Sequence, residues 1–335
     1  MIRKTLFTVL YLLLYAAYCH AQDWKHYTAD GPIYSLAVKD DTIFASGLGG
    51  LVKTHPSLNS PIIYTRLTPG FDSYTTIVHG VYLLPSGEVT MKKGTDSYIY
   101  QNGVFTKGTL PDFTTAVTDK DNNVWFGRYA EGLSKYDGQT ITKFSTTLFV
   151  DDIDINASGD SIWILGNRSI LLLINGVLTT EISFLDFPPN VMELYSLKVD
   201  KDSRLWVEVE EVFYPEDQDK SYTSEVLYCL KNKEWIKVDV LGEIHAMEKG
   251  SNGAVWVSTQ SDLIHYDDIN LKQTYPYDPK MVGVFKTTSM HAYKNGVLLG
   301  GDVGGGLYLF ESGVFTKIPT SNSGLPSGSI RKNVV

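Results

Sequence analysis

The chain has 335 residues, of which 43% are hydrophobic, 20% are charged and 41 are aromatic (21 Tyr, 14 Phe, 6 Trp). That apolar content excludes wholesale disorder, and a net charge of −9 argues against a nucleic-acid partner, which needs a basic surface to neutralise phosphate. Two cysteines cannot build a disulfide scaffold or a cysteine-rich metal site, and 29 glycines among many aromatic and β-branched residues point to an all-β chain with many turns.

Met1 to Ala21 reads as a secretory signal peptide, so the expected division is 1–21 signal and 22–335 a single folded domain. Arg3 and Lys4 supply the positive start, Leu6 to Tyr18 an uncharged apolar run, and Cys19 and Ala21 the small residues before a cleavage site at Gln22. The run is too short for a membrane span of about 20 residues, and no later segment has 18 consecutive apolar residues. Cleavage removes two cations and no acid, taking the charge from −9 to −11, and leaves Cys229 without a disulfide partner. The expected location is periplasmic or extracellular, with no membrane span in the mature chain.

From Ile33 onward the sequence repeats with a period of about 42 residues. Gly-Val-Phe-Thr-Lys stands at Gly103–Lys107 and again, 210 residues later, at Gly313–Lys317. Asp119 to Trp125 matches Asp200 to Trp206 position for position, each a polar turn running into an apolar residue and tryptophan. Trp163 and Trp256 close looser copies; Phe44, Thr90 and Leu299 are assigned the equivalent place in the weaker repeats. Seven or eight residues further on, glycine opens an alternating strand, as in Gly132-Leu133-Ser134-Lys135-Tyr136 and Gly306-Leu307-Tyr308-Leu309-Phe310.

Each period thus holds four short strands joined by tight turns, the signature of a propeller blade. Repeats begin near Ile33, Val78, Phe113, Ile153, Tyr195, Ile244 and Met290. The predicted fold is an all-β propeller of about seven four-stranded blades, or eight if the chain is truncated. An acidic insertion around Tyr214–Ser221 extends a hairpin of the fifth repeat. Trp24–Thr28 reads as an outermost strand that seals the ring, and Ser329–Val335 as the first strand of a further repeat, so a truncated piece of a longer protein is expected.

Asp119 to Gly138, with Trp125-Phe126-Gly127 and Gly132-Leu133-Ser134-Lys135-Tyr136-Asp137-Gly138, resembles the two-component regulator propeller repeats of bacterial sensor proteins. Arg128 departs from that pattern's small hydroxyl residue, and Asn122 from its turn glycine. The resemblance covers roughly residues 30–335, is strong in the third repeat only, and specifies a blade without specifying a ligand. It implies the exported sensor half of a signalling system, including sensors of oligosaccharides, or a stand-alone secreted scaffold for protein partners.

The tryptophans recur with the blade, so they are assigned to packing between blades. Ligand sites in propellers sit at a mouth of the central channel. The candidates are residues at or before the innermost strands that vary between repeats: Tyr34, Tyr74, Asp151, Asp152, Tyr195, His245 and His291. They suit a small polar molecule or an oligosaccharide; a protein partner is the other expectation. There is no His-Glu-x-x-His, and Asp151-Asp152-Ile153-Asp154 lacks the spacing of an EF-hand loop, so neither metal nor cofactor is expected. The only acid–base combinations to test are His245 or His291 with Glu243, the arrangement a lyase-type propeller would need. The chain is expected not to be an enzyme.

Overall fold

A computed structural model describes residues 31–320 apart from the short segments 58–60, 66–67, 72–76, 94–95, 130, 146–147, 215–220, 279–280, 282–285 and 303–304. Twenty-eight strands form seven sheets of four, each built from strands consecutive in sequence and paired antiparallel. The first strand of each sheet lies innermost. These seven are Ile33–Lys39, Val78–Leu83, Thr115–Thr118, Asp152–Ile155, Val191–Val199, Ile244–Lys249 and Thr287–Tyr293. They begin within a few residues of the predicted repeat starts. Met1–Ala21, read above as a signal peptide, Trp24–Thr28 and Ser329–Val335 lie outside the described residues.

The core is divided among the blades. Seven apolar clusters fill the seven gaps between adjacent sheets, and the last joins Ile33, Leu36 and Ile43 of blade 1 to Tyr293, Leu298 and Ile318 of blade 7. Hydrogen bonds from Thr288 Oγ1 (2.6 Å) and Ser289 Oγ (3.0 Å) to the Ile33 carbonyl reinforce that seam. A ring closed in this way holds seven blades, which decides against eight.

The repeated turn motif has a direct physical basis. Asp200 Oδ1 accepts the backbone N–H of Asp202 and of Arg204, each at 2.9 Å, while Oδ2 accepts the indole N–H of Trp206 at 2.8 Å. Asp119 does the same for Asp121, Asn123 and Trp125. One carboxylate therefore satisfies a tight turn and the polar atom of an otherwise apolar plug. Asn122 and Ser203, at φ 61°, take the left-handed position that a glycine would fill. Gly253, at φ 75°, is glycine for a second reason: its carbonyl accepts the Lys201 N–H of the preceding blade, and a Cβ would lie 2.7 Å from that lysine's Cβ.

Trp125, Trp206 and Trp256 each pack against the following blade, as predicted, and Trp163 packs more loosely against its neighbour. Register corrects one assignment. Trp256 pairs with Glu248 of the inner strand, and the residue that pairs with the equivalent His291 is Leu298, not Leu299. Blade 5 is longer than the rest, with second and third strands of 9 and 10 residues leading to the acidic insertion.

Candidate functional site

Most inner strands open on an irregularity. Pairing with the second strand skips a residue at this point in blades 1, 2, 5, 6 and 7, leaving Tyr34, His79, Tyr195, His245 and Thr288 as bulges, and blade 5 skips Met192 as well. In blades 3 and 4 the same station is held by Thr114 and Asp151, whose N–H groups donate to the carbonyls of Gly127 and Leu165. A bulge re-aims its side chain, so one residue from each blade forms a ring at this end of the channel. Four of the predicted residues, Tyr34, Asp151, Tyr195 and His245, belong to this ring. Tyr74 lies outside the described residues. Sequence reasoning missed His79, although it is the second residue of its strand, as Tyr34 is, and stacks on Tyr34 with ring centres 6.1 Å apart.

The next station inward is occupied by small residues except for Asp152. Its side chain is engaged in structure rather than directed at the mouth. Oδ2 accepts the Leu197 N–H at 3.0 Å and Lys198 Nζ at 2.8 Å, and Oδ1 accepts the Thr115 hydroxyl at 3.1 Å. Asp154, two residues on, accepts the Val199 N–H at 2.7 Å and Lys249 Nζ at 2.8 Å. These two carboxylates cover the inner backbone edge of blade 5, whose N–H groups have no further strand to pair with. Ser35, with its hydroxyl on Val81, provides the same cover for blade 2.

Deeper still, Tyr82, Asp154, Lys198, Glu248 and His291 share the register position opposite the tryptophan site. His291 is therefore three residues further down its strand than the mouth ring, inside the tube, where burial pulls its imidazole down to about 4. It does not face Glu243 as an acid–base partner. Burial pushes the carboxyls of Glu208 and Glu248 up to about 7. Burial opposes the charge on Lys198, but Asp152, Glu248 and Asp154 together raise it above the usual lysine range.

The mouth face has two further properties. Among the described residues seven aromatic side chains are exposed: Tyr34, Tyr129, Phe149, Tyr195, Phe213, Tyr214 and Tyr222. All seven lie at the mouth end: Tyr34 and Tyr195 within inner strands, Phe149 just before one, and Tyr129, Phe213, Tyr214 and Tyr222 at or between the facing ends of second and third strands. Tyr129 and Phe149 touch each other, with ring centres 4.9 Å apart.

The second property is acidity in blades 4 to 6. Glu193, Glu210 and Glu225 stand directly opposite one another across three strands of blade 5. A groove of about 890 Å³ runs beside them, lined by Glu210, Glu225, Lys237, Asp239 and Glu243. Burial, then the charge of Glu243, raises the Glu225 carboxyl, and burial, then Glu193, raises that of Asp151. Glu243 Oε1 lies 2.9 Å from Lys286 Nζ and 3.9 Å from His245 Nε2. Burial, then the Lys286 charge, lowers the His245 imidazole. Two side-chain atoms are buried without a hydrogen bond among the described residues, Glu225 Oε2 and His245 Nδ1, and both belong to this sector.

The chain is a seven-bladed β-propeller with a polar, aromatic-rimmed channel mouth. No family model matches it, and neither does any curated protein. Solved structures do. Virginiamycin B lyase from Staphylococcus aureus is 13% identical, with a TM-score of 0.58 over 81% of this chain and 92% of that one. The GH74 xyloglucanase from Xanthomonas campestris is 10% identical, with a TM-score of 0.62 over 84% of this chain and 53% of that one. The extracellular domain of a protein described as a hybrid two-component system from B. thetaiotaomicron is 11% identical, with a TM-score of 0.45 over 83% of this chain and 46% of that one. The first two likenesses bear out the fold. They also correct the expectation that the chain is not an enzyme, because a lyase and glycoside hydrolases are among the proteins built on this propeller. No helix among the described residues is long and apolar enough to cross a membrane.

Proposed function

We propose that the chain is an exported recognition propeller that takes a hydroxyl-rich ligand of the oligosaccharide class across its channel mouth, as the ligand-reading part of a signalling system. The observation that carries this reading is the confinement of all seven exposed aromatic side chains, among the described residues, to the mouth face. Aromatic faces bind the C–H faces of sugar rings. The neighbouring Asp151, His79, Thr114 and His245 supply the few placed polar groups that orient a ligand. Export and signalling rest on the leader-like first 21 residues and on the resemblance of the Asp119–Gly138 repeat.

The test is a thermal-shift screen of the purified protein against neutral and charged oligosaccharides, followed by calorimetry on any that stabilise. Tyr195→Ala should weaken the bound glycan by about tenfold or more, consistent with the loss of one well-placed aromatic contact. A folded wild-type protein that no glycan stabilises would end the saccharide reading.

A second reading has its own support. Glu225, a carboxyl raised by burial, and His245 beside Glu243 are the kinds of group that serve as general acid or base. Product analysis on any glycan that binds, with His245→Ala and Glu225→Gln beside wild type, separates turnover from recognition.

A further inference from the structure

The acidic sector of the mouth is poorly explained by stability. Glu193, Glu210 and Glu225 are cross-strand neighbours. Like charges placed directly opposite one another destabilise a sheet. Asp151 is raised in part by Glu193, and Glu225 in part by Glu243, so the row continues into the adjoining blades. The nearby cations are engaged with other groups, although Lys286 still offsets part of the Glu225 shift. Lys286 is bound to Glu243, Lys237 to Glu211, and Arg168 donates to the Met192 carbonyl at 2.6 Å.

His245 is an independent sign of a ligand. Its side chain is only 4% exposed, it turns Nε2 towards Glu243 without reaching hydrogen-bond distance, and its Nδ1 has no partner among the described residues. Native proteins rarely leave a buried polar ring in that state unless something else completes it. Beside this cluster stands the exposed ring of Tyr195, close to Glu210. An aromatic face flanked by carboxylates is the recognition pattern for an organic cation, which gains both ion pairing and cation–π attraction. The described carboxylates do not converge as metal ligands, and an 890 Å³ groove suits a larger body than a bare ion.

Building on the oligosaccharide reading above, we infer that the ligand held by blades 4 to 6 carries an ammonium group, as an amino sugar with a free amine does. Glu210 and Glu225 receive the ammonium, and Tyr195 covers it.

The experiment compares a glucosamine trisaccharide with its fully N-acetylated form, which keeps the sugar body and removes the charge, by calorimetry at about pH 7. The free amine should bind at least about tenfold tighter. The Glu210→Gln/Glu225→Gln double variant should abolish that preference while retaining the affinity for the N-acetylated form. Equal affinity for the two sugars, or a preference untouched by the double variant, overturns the inference and leaves the oligosaccharide reading standing. If neither sugar binds, spermidine is the probe. Binding to wild type but not to the double variant keeps the cation and removes the sugar body; no binding to wild type overturns the cation as well. A readout without ligand accompanies these. Relief of the repulsion should raise the melting temperature of the free double variant by about 1–2 °C. A fall instead means that the glutamates serve the fold, and it overturns the inference.

Discussion

Asp200→Ala tests the blade motif most directly, because one carboxylate serves four donors. Asp200 is 2% exposed and accepts from the N–H of Asp202, the N–H and Nε of Arg204, and Nε1 of Trp206. Trp206 is fully buried, so losing its acceptor leaves an indole N–H in an apolar site at a cost of about 1–3 kcal/mol. Arg204, 9% exposed, keeps Asp202 and Asp268 as partners, so its charge is weakened rather than stranded. Adding the turn's lost acceptor brings the total to about 3–5 kcal/mol, the range for breaking a buried charged network. Asp119→Ala is the internal control. Asp119 holds the same turn and Trp125, but no arginine is attached and the site is only half-buried, so about 1–2 kcal/mol is expected. Chemical denaturation midpoints of the two variants against wild type, with unchanged m-values, provide the measurement. If Asp200→Ala costs less than about 1 kcal/mol, or no more than Asp119→Ala, the turn carboxylate does not organise the blade as argued.

Two further outcomes are expected. Trp125→Ala should destabilise by about 3–5 kcal/mol, since it empties a large aromatic site between blades 3 and 4; a near-neutral result in the same denaturation assay would contradict the packing. Glu248 provides a pH test. Its folded carboxyl stands at about 7, above its unfolded value near 4.5, so the folded state holds the extra proton between those limits and loses stability as pH rises through them. Glu248→Gln should therefore raise the melting temperature relative to wild type more at pH 8 than at pH 5. A gap that stays constant with pH removes that carboxyl from the linkage.

The architecture was readable in the sequence because the blade repeats its physics. Asp119 and Asp200 must each close a turn and reach a tryptophan six residues on, so the spacing recurs. Blades lacking the tryptophan were harder to align, which is why Leu299 was taken for the site that Leu298 fills. The mouth ring was half legible. Tyr34, Asp151, Tyr195 and His245 stood out as variable residues at or before inner strands, but depth along the channel depends on register, and His291 falls three residues below the ring. The glutamate row could not be found by local pattern. Glu193, Glu210 and Glu225 meet only because three long strands of blade 5 pair in one register, a property of the sheet and not of any short segment.

The inner-edge stitching has a consequence for how the ring counts its blades. Ser35, Asp152, Asp154 and Ser289 each reach from one blade to the backbone of the next, always in the same direction. The seam from blade 7 to blade 1 uses the same hydroxyl-to-carbonyl device as an internal joint, so order along the polypeptide and order around the circle are separate properties. A blade moved to another position would carry its own reach but meet a foreign edge. Asp152 would then point its carboxylate at a neighbour without Lys198 to answer it, and Asp154 would lose Lys249, which reaches it from blade 6. Each wedge is addressed to its successor, and the molecule is assembled less like seven copies of a tile than like seven pieces of a keyed lock.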